Sequence, residues 1–210
     1  MTSLTLDHLC AALNLESFDV EAAWRVMAPR GRIERRADPP PKQAGVLVLL
    51  TGEDGDLRVM LTRRTERLNG HRGQMSFPGG RRDDSDRDFA HTALRETGEE
   101  LGIDTAGVAL LGALTPIYIP PSHFDVFPYV GYQRVLPPLM PNPDEVAAVY
   151  PVALADLFDP ENRIVTEIET VAGPLTVPAY TLGGQIVWGA TAVILCELEM
   201  RLRAVRHGTG

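Results

Sequence analysis

Apolar side chains recur at helical intervals between residues 4 and 27: Leu6, Leu9 and Leu13, then Val20, Ala23, Trp24 and Met27. A period near 3.6 residues predicts one or two amphipathic helices, which we read as an N-terminal cap. Residues 29–41 break the pattern with mixed charge and three consecutive prolines, the composition of a stiff, extended connection. This divides the chain into residues 1–41, a helical cap with a Pro-rich linker, and residues 42–210, the main domain.

Within the main domain, a continuous apolar run at 44–50, the turn GEDGD and a β-compatible stretch at 57–62 predict a hairpin. Residues 74–77 predict a short strand running into Pro78, Gly79 and Gly80. Residues 88–101 return to helical periodicity and stop before Gly102. Further strands are expected at 108–114, 126–133 and 145–152, and a second hairpin at 164–171 and 175–180. A closing helix at 189–206 carries Ala190, Val193, Ile194, Leu198, Leu202 and Val205 on one face. The chain thus mixes helices and strands and shows no internal repeat.

A chain of 210 residues is long enough for one elaborated domain with its own core. Its formal net charge of −8 argues against a protein that coats nucleic acid or an anionic membrane. A polyanionic partner must therefore be met locally. Lys42 is the only lysine, so nearly all the positive charge is guanidinium, which makes forked contacts to phosphate. Cys10 and Cys196 stand far apart and outside any CxxC pair, which fits the reducing cytoplasm. No apolar run reaches membrane-spanning length.

The chemistry concentrates in residues 79–103. On a helix, Glu96, Glu99 and Glu100 stand at i, i+3 and i+4, so three carboxylates share one face. Ala90, Ala93, Leu94, Thr97 and Leu101 occupy another face, available for anchoring. Like charges this close repel unless something positive sits among them, and a hard divalent cation such as Mg2+ is suited to oxygen ligands. Arg95 is placed to clamp one of these carboxylates. An isolated ExxEE is more often a solvated acidic face. Here it follows Gly79 and Gly80, where backbone without side chains can approach a metal or phosphate closely.

RETGEELGI after a glycine pair resembles the Nudix box, usually written GX5EX7REUXEEXGU. Counted from Gly80, Arg95 comes one residue later than in that pattern, and Thr97 replaces an aliphatic residue. The loop glutamate is absent, leaving Asp83, Asp84 and Asp86 as candidates. Upstream, LTRRTERLNGHRGQMSFPGG at 61–80 is similar to the accessory signature of the coenzyme A pyrophosphatase branch, where LTxR, HxGQ and FPGG lead into the box. Looser matches extend the resemblance over roughly residues 44–198. It implies an α/β/α sandwich with a curved mixed β-sheet and metal-dependent hydrolysis of a diphosphate. Mg2+ or Mn2+ would be held by Glu96, Glu99 and Glu100, with the Gly80 carbonyl as a further ligand.

The accessory signature implies coenzyme A or acyl-CoA as the leading substrate, cleaved to 3′,5′-ADP and 4′-phosphopantetheine or its acyl form. Between residues 57 and 82 there are seven arginines and a single acid, Glu66, so this segment faces anions inside an acidic protein. Arg63, Arg64, Arg67, His71, Arg72 and Gln74 are the candidate substrate contacts, each with a bland alternative as an exposed or loop-ordering side chain. Tyr118, Phe124, Phe127 and Tyr129 are candidates for stacking on adenine, although strand aromatics are more often core. Arg95 would position the carboxylates, and Glu99, Glu96 or Glu145 would accept the proton of the attacking water. Two other readings stay open: a pyrophosphatase for ADP-ribose or another nucleoside diphosphate derivative, and a non-catalytic Nudix-fold nucleotide-binding module. An intact acidic triad disfavours the last. The partner is a small nucleotide, not nucleic acid or membrane, and a homodimer stays open because dimers are common among such enzymes.

Overall fold

The computed structural model describes residues 3–29, 35, 38–67, 72–170 and 173–208. Two short helices lead: α1 (Leu6–Leu13), capped by Thr5 accepting from the His8 amide, and α2 (Val20–Met27), capped by Asp19 accepting from the Ala22 amide. The central strand β1 (Lys42–Thr51) begins directly after the proline run. It is followed by β2 (Arg58–Arg64), β3 (Met75–Ser76), β4 (Gly79–Arg81) and helix α3 (Phe89–Leu101). Then come β5 (Ala109–Ala113), β6 (Ile117–Ile119), β7 (Phe124–Tyr132), β8 (Val146–Ala153), β9 (Arg163–Thr170), β10 (Gly173–Leu182) and β11 (Gln185–Trp188). The 20-residue α4 (Gly189–Gly208) closes the described chain.

Eight strands form one mixed sheet along β3-β2-β1-β7-β5, with β4 on β1, β6 on β7 and β8 on β2. Only β1 and β7 run parallel; the other pairings in it are antiparallel. A second, antiparallel sheet has the order β11-β10-β9.

Successive side chains of a strand point to opposite faces, and β1 is apolar on both. Leu47 and Leu49 pack with Met60, Ala93 and Leu101 beneath α3. Val48 and Leu50 join Leu195, Leu198 and Leu202 of α4 on the other side. The sheet therefore lies between helical layers, the α/β/α sandwich that the family resemblance implies. Leu9, Ala12 and Met27 of the leading helices belong to the same buried cluster as α4.

The expected hairpin of β1 and β2 is confined to its turn, where Leu50 faces Val59 and Thr51 faces Arg58. Beyond it β2 pairs with β3 and β8, and the start of β1 takes β4 as neighbour, with Gly45 opposite Gly80. The anticipated glycine loop is thus partly a strand. Three-residue β6 and four-residue β11 carry no period long enough to read in advance. Among the described residues, no helix is long and apolar enough to cross a membrane.

Candidate active site

Helix α3 is fixed at both ends by residues suited to the task. Asp88 accepts from the His91 amide at 2.7 Å, and Gly102 stops the helix in the left-handed region at φ 65°. Ala93, Thr97 and Leu101 are buried toward the sheet. Thr97, where an aliphatic side chain was expected, hides its hydroxyl by donating to the Ala93 carbonyl at 2.7 Å.

The three glutamates stand at graded depths. The Glu99 side chain is 59% exposed, Glu96 16% and Glu100 4%. Glu100 accepts from the Gly79 amide at 3.3 Å, and the Arg64 guanidinium lies 3.9 Å from its other oxygen. Burial pushes the Glu100 carboxyl up to about 8, against the pull of Arg64 and the Gly79 amide, with Glu145 and Glu96 adding to the rise. Burial also raises Glu96, while Arg95 opposes the rise and Glu99 and Glu145 add to it. A side chain at position 80 would set its Cβ 2.3 Å from a Glu96 oxygen, so Gly80 admits a close approach that other residues forbid.

Arg95 joins the glutamates to the preceding loop. Its Nη1 donates to Glu99 at 3.2 Å and lies 2.9 Å from Glu96, and its Nη2 donates to the Arg81 carbonyl at 3.2 Å. Its other edge forks onto Asp86, with Nε and Nη2 each at 3.0 Å. The Asp86 side chain is fully buried and also accepts from the Thr92 hydroxyl and the Asp83 amide, both at 2.9 Å; His91 Nδ1 lies at the same distance. The Arg95 hydrogen bonds hold Asp86 far below the usual carboxylate range although burial opposes them. Asp86 in turn holds Arg95 charged.

A family model described as the NUDIX domain matches residues 41–168. The chain belongs to the Nudix hydrolase family. Nudix hydrolase 15, mitochondrial, of Arabidopsis thaliana is 37% identical over 191 residues, covering 84% of this chain and 67% of that protein. The mitochondrial coenzyme A diphosphatase NUDT8 of Homo sapiens is 39% identical over 174 residues, covering 80% of this chain and 72% of its own. A MutT/nudix family protein from Enterococcus faecalis shares the fold at a TM-score of 0.53 and 18% identity, over 95% of this chain and 74% of that one.

Within this Nudix hydrolase the three loop candidates separate cleanly. Asp86 stands six residues after Gly80, where the box carries its glutamate, and it alone bonds Arg95. Asp83 turns to the Ser85 amide and hydroxyl. The extra residue of the box therefore lies between Asp86 and Arg95, and counting forward from Gly80 would have found this.

Of the other candidates, Glu145 reaches the cluster from a separate loop: its carbonyl accepts from the Thr65 amide at 3.0 Å, and its charge acts on both Glu96 and Glu100. Asn142 of the same loop donates its amide to the Glu100 carbonyl at 2.9 Å. Arg64 is aimed at Glu100 where the register of β2 against β8 shifts. Arg63 faces Met75 across the β2–β3 pair. Arg67 makes an exposed pair with Asp144 at 3.6 Å. Arg72 and Gln74 line a separate groove beside β3. His71 lies outside the described residues.

The aromatic candidates have partners within the protein. Phe127 stacks on Phe89 at 3.7 Å, Tyr118 meets His123 edge-on, Lys42 lies over Phe124, and Tyr129 packs under α3. Among the described residues, no three His, Cys, Asp or Glu side chains are gathered closely enough to hold one ion. Arg95 draws Glu96 and Glu99 toward itself, whereas Glu100 turns to Gly79 and Arg64.

Proposed function

We propose that this Nudix hydrolase cleaves the diphosphate of coenzyme A or acyl-CoA, releasing 3′,5′-ADP and 4′-phosphopantetheine or its acyl form. The carrying observation is that the basic accessory stretch touches the acidic helix directly, through Arg64 and Gly79 on Glu100. The relatives named coenzyme A diphosphatase support the reading at 38–39% identity.

The donor chemistry of the helix, rather than the present spacing of its side chains, suits a hard divalent cation. Glu96, Glu99 and Glu100 offer only oxygen donors, Gly80 leaves room at the Glu96 carboxylate, and burial holds Glu96 and Glu100 above their ordinary range, a cost that a bound cation would offset. Bound by these glutamates and the Gly80 carbonyl, Mg2+ or Mn2+ would supply charge to the non-bridging oxygens and a water of lowered pKa.

The remaining roles belong to the chain itself. Arg95, locked by Asp86, orients Glu96 and Glu99. Glu145 is suited to take the proton of the attacking water, with Glu96 and Glu99 as alternatives. The water oxygen bonds to one phosphorus, the bridging P–O bond breaks, and the second phosphate leaves with the bridging oxygen.

A panel of coenzyme A, dephospho-coenzyme A and ADP-ribose with Mg2+ or Mn2+, read by product identification, tests the substrate. Weaker turnover without the 3′-phosphate supports coenzyme A; clear preference for ADP-ribose rejects it. We also propose a cytoplasmic site of action, in keeping with two free cysteines, whereas three of the relatives bear mitochondrial names. Cell fractionation decides between them.

A further inference from the structure

A groove of about 420 Å³ runs between the stretch entering β3 and the small sheet. Gln74 and Met75 contribute one wall; Thr166 and Ile168 of β9, with Ile186 and Trp188 of β11, contribute the other. Neither the box nor the accessory signature uses these small-sheet residues. We propose that the groove receives the pantetheine arm of the substrate, so that the small sheet recognises the end of coenzyme A remote from adenosine. The identity of the ligand rests on the coenzyme A reading above; the groove is a separate claim about where its arm lies.

Position comes first. Met75 precedes Gly79 by four residues, and that length of chain spans at most about 14 Å. Gly79 is the residue whose amide bonds Glu100, so the groove opens within the reach of one substrate arm from the carboxylates. The two are also built on the same strand pair. Met75 faces Arg63 across β2 and β3, the Gln74 carbonyl accepts from the Arg64 amide at 3.0 Å, and Arg64 carries the guanidinium beside Glu100.

Chemistry decides which arm. The pantetheine arm is an uncharged chain with two amides, a gem-dimethyl carbon and methylenes. The groove offers the Thr166 hydroxyl and the Gln185 side-chain amide, whose nitrogen also donates to the Gly184 carbonyl, for the first, and Ile168, Ile186 and the Trp188 indole for the rest. Ile186 is 41% exposed, an apolar surface that such a chain would cover. The lining also carries Glu167 and Glu169 against a single guanidinium, Arg72. A 3′-phosphorylated ribose would bring negative charge to a wall with an acidic excess, so the nucleotide end is the poorer occupant.

The test compares Ile186→Glu with the unmodified full chain. Binding of 4′-phosphopantetheine and of 3′,5′-ADP is measured separately by calorimetry, and coenzyme A hydrolysis by steady-state kinetics. We expect phosphopantetheine binding to weaken about tenfold and KM for coenzyme A to rise about tenfold, with kcat and 3′,5′-ADP binding changed less than about twofold. Gln185→Ala supplies the same comparison should Ile186→Glu melt early. Selective loss of 3′,5′-ADP binding would assign the groove to the nucleotide end and overturn the proposal. Unchanged binding and KM in a chain that cleaves coenzyme A would also overturn it while leaving the functional reading intact. An unmodified chain that does not cleave coenzyme A would sink both.

Discussion

Asp86 and Arg95 form a forked, buried ion pair: both carboxylate oxygens of one meet the guanidinium edge of the other at 3.0 Å. The pair joins the loop after β4 to α3 and leaves Arg95 Nη1 to face Glu96 and Glu99. Arg95 sits nine positions after Asp86, on the helix that Asp88 caps. Several consequences can be measured.

Asp86→Asn keeps the shape but removes the charge that locks Arg95. Turnover should fall about 10- to 100-fold, the usual effect of losing an outer partner that orients site ligands, while circular dichroism stays native. Unchanged turnover would mean that Arg95 needs no such anchor.

The same carboxylate makes stability depend on acid. Its folded pKa is depressed chiefly by Arg95, so its contribution is fully present above the unfolded value of 3.8 and is lost as pH falls toward the lower folded value. Urea midpoints taken from neutrality down to below pH 4 should decline, and Asp86→Asn should flatten that part of the curve.

Gly80→Ala would set a methyl group 2.3 Å from the end of the Glu96 side chain. The end of a side chain can swing away at little cost, so the melting temperature should move slightly. The carboxylate displaced in doing so should cost about tenfold or more in kcat. A large loss of stability with normal specific activity would contradict this account.

Glu99→Gln and Glu100→Gln each remove a proposed metal ligand. Turnover with Mg2+ should drop at least about 100-fold in both, without unfolding. Isothermal titration with Mn2+ should show matching losses of affinity, and near-normal values in both variants would refute the ligand assignment.

Far from the chemistry, Glu197 of α4 is completely buried. It accepts from the Trp24 indole, from the Thr115 amide and hydroxyl, and from Arg201. Glu197→Ala strands Arg201 and removes the Trp24 tie between α2 and α4, which should cost about 3–5 kcal/mol in urea unfolding.

Local patterns revealed much of this protein. The period of residues 6–27 foretold one or two helices and there are two, the apolar run at 44–50 foretold most of β1, and ExxEE foretold three carboxylates on one helix. Each depends on contacts a few residues long, which is the range over which a sequence pattern acts. The hairpin at β1 was legible at its turn and misleading beyond it, because β1 exchanges β2 for β4 and β7 through pairings remote in sequence.

From sequence alone came the acidic helix, the glycines before it, the arginines upstream and the family they resemble. Tertiary structure alone forked Asp86 onto Arg95, brought Glu145 from a distant loop, and graded three like glutamates from exposed to buried. It also turned Phe127 inward onto Phe89. The division has one physical cause. Side-chain spacing along a helix is set by the backbone repeat, but burial, pKa and partnership depend on what other segments bring within a few ångströms, and that is decided only when the sheet assembles.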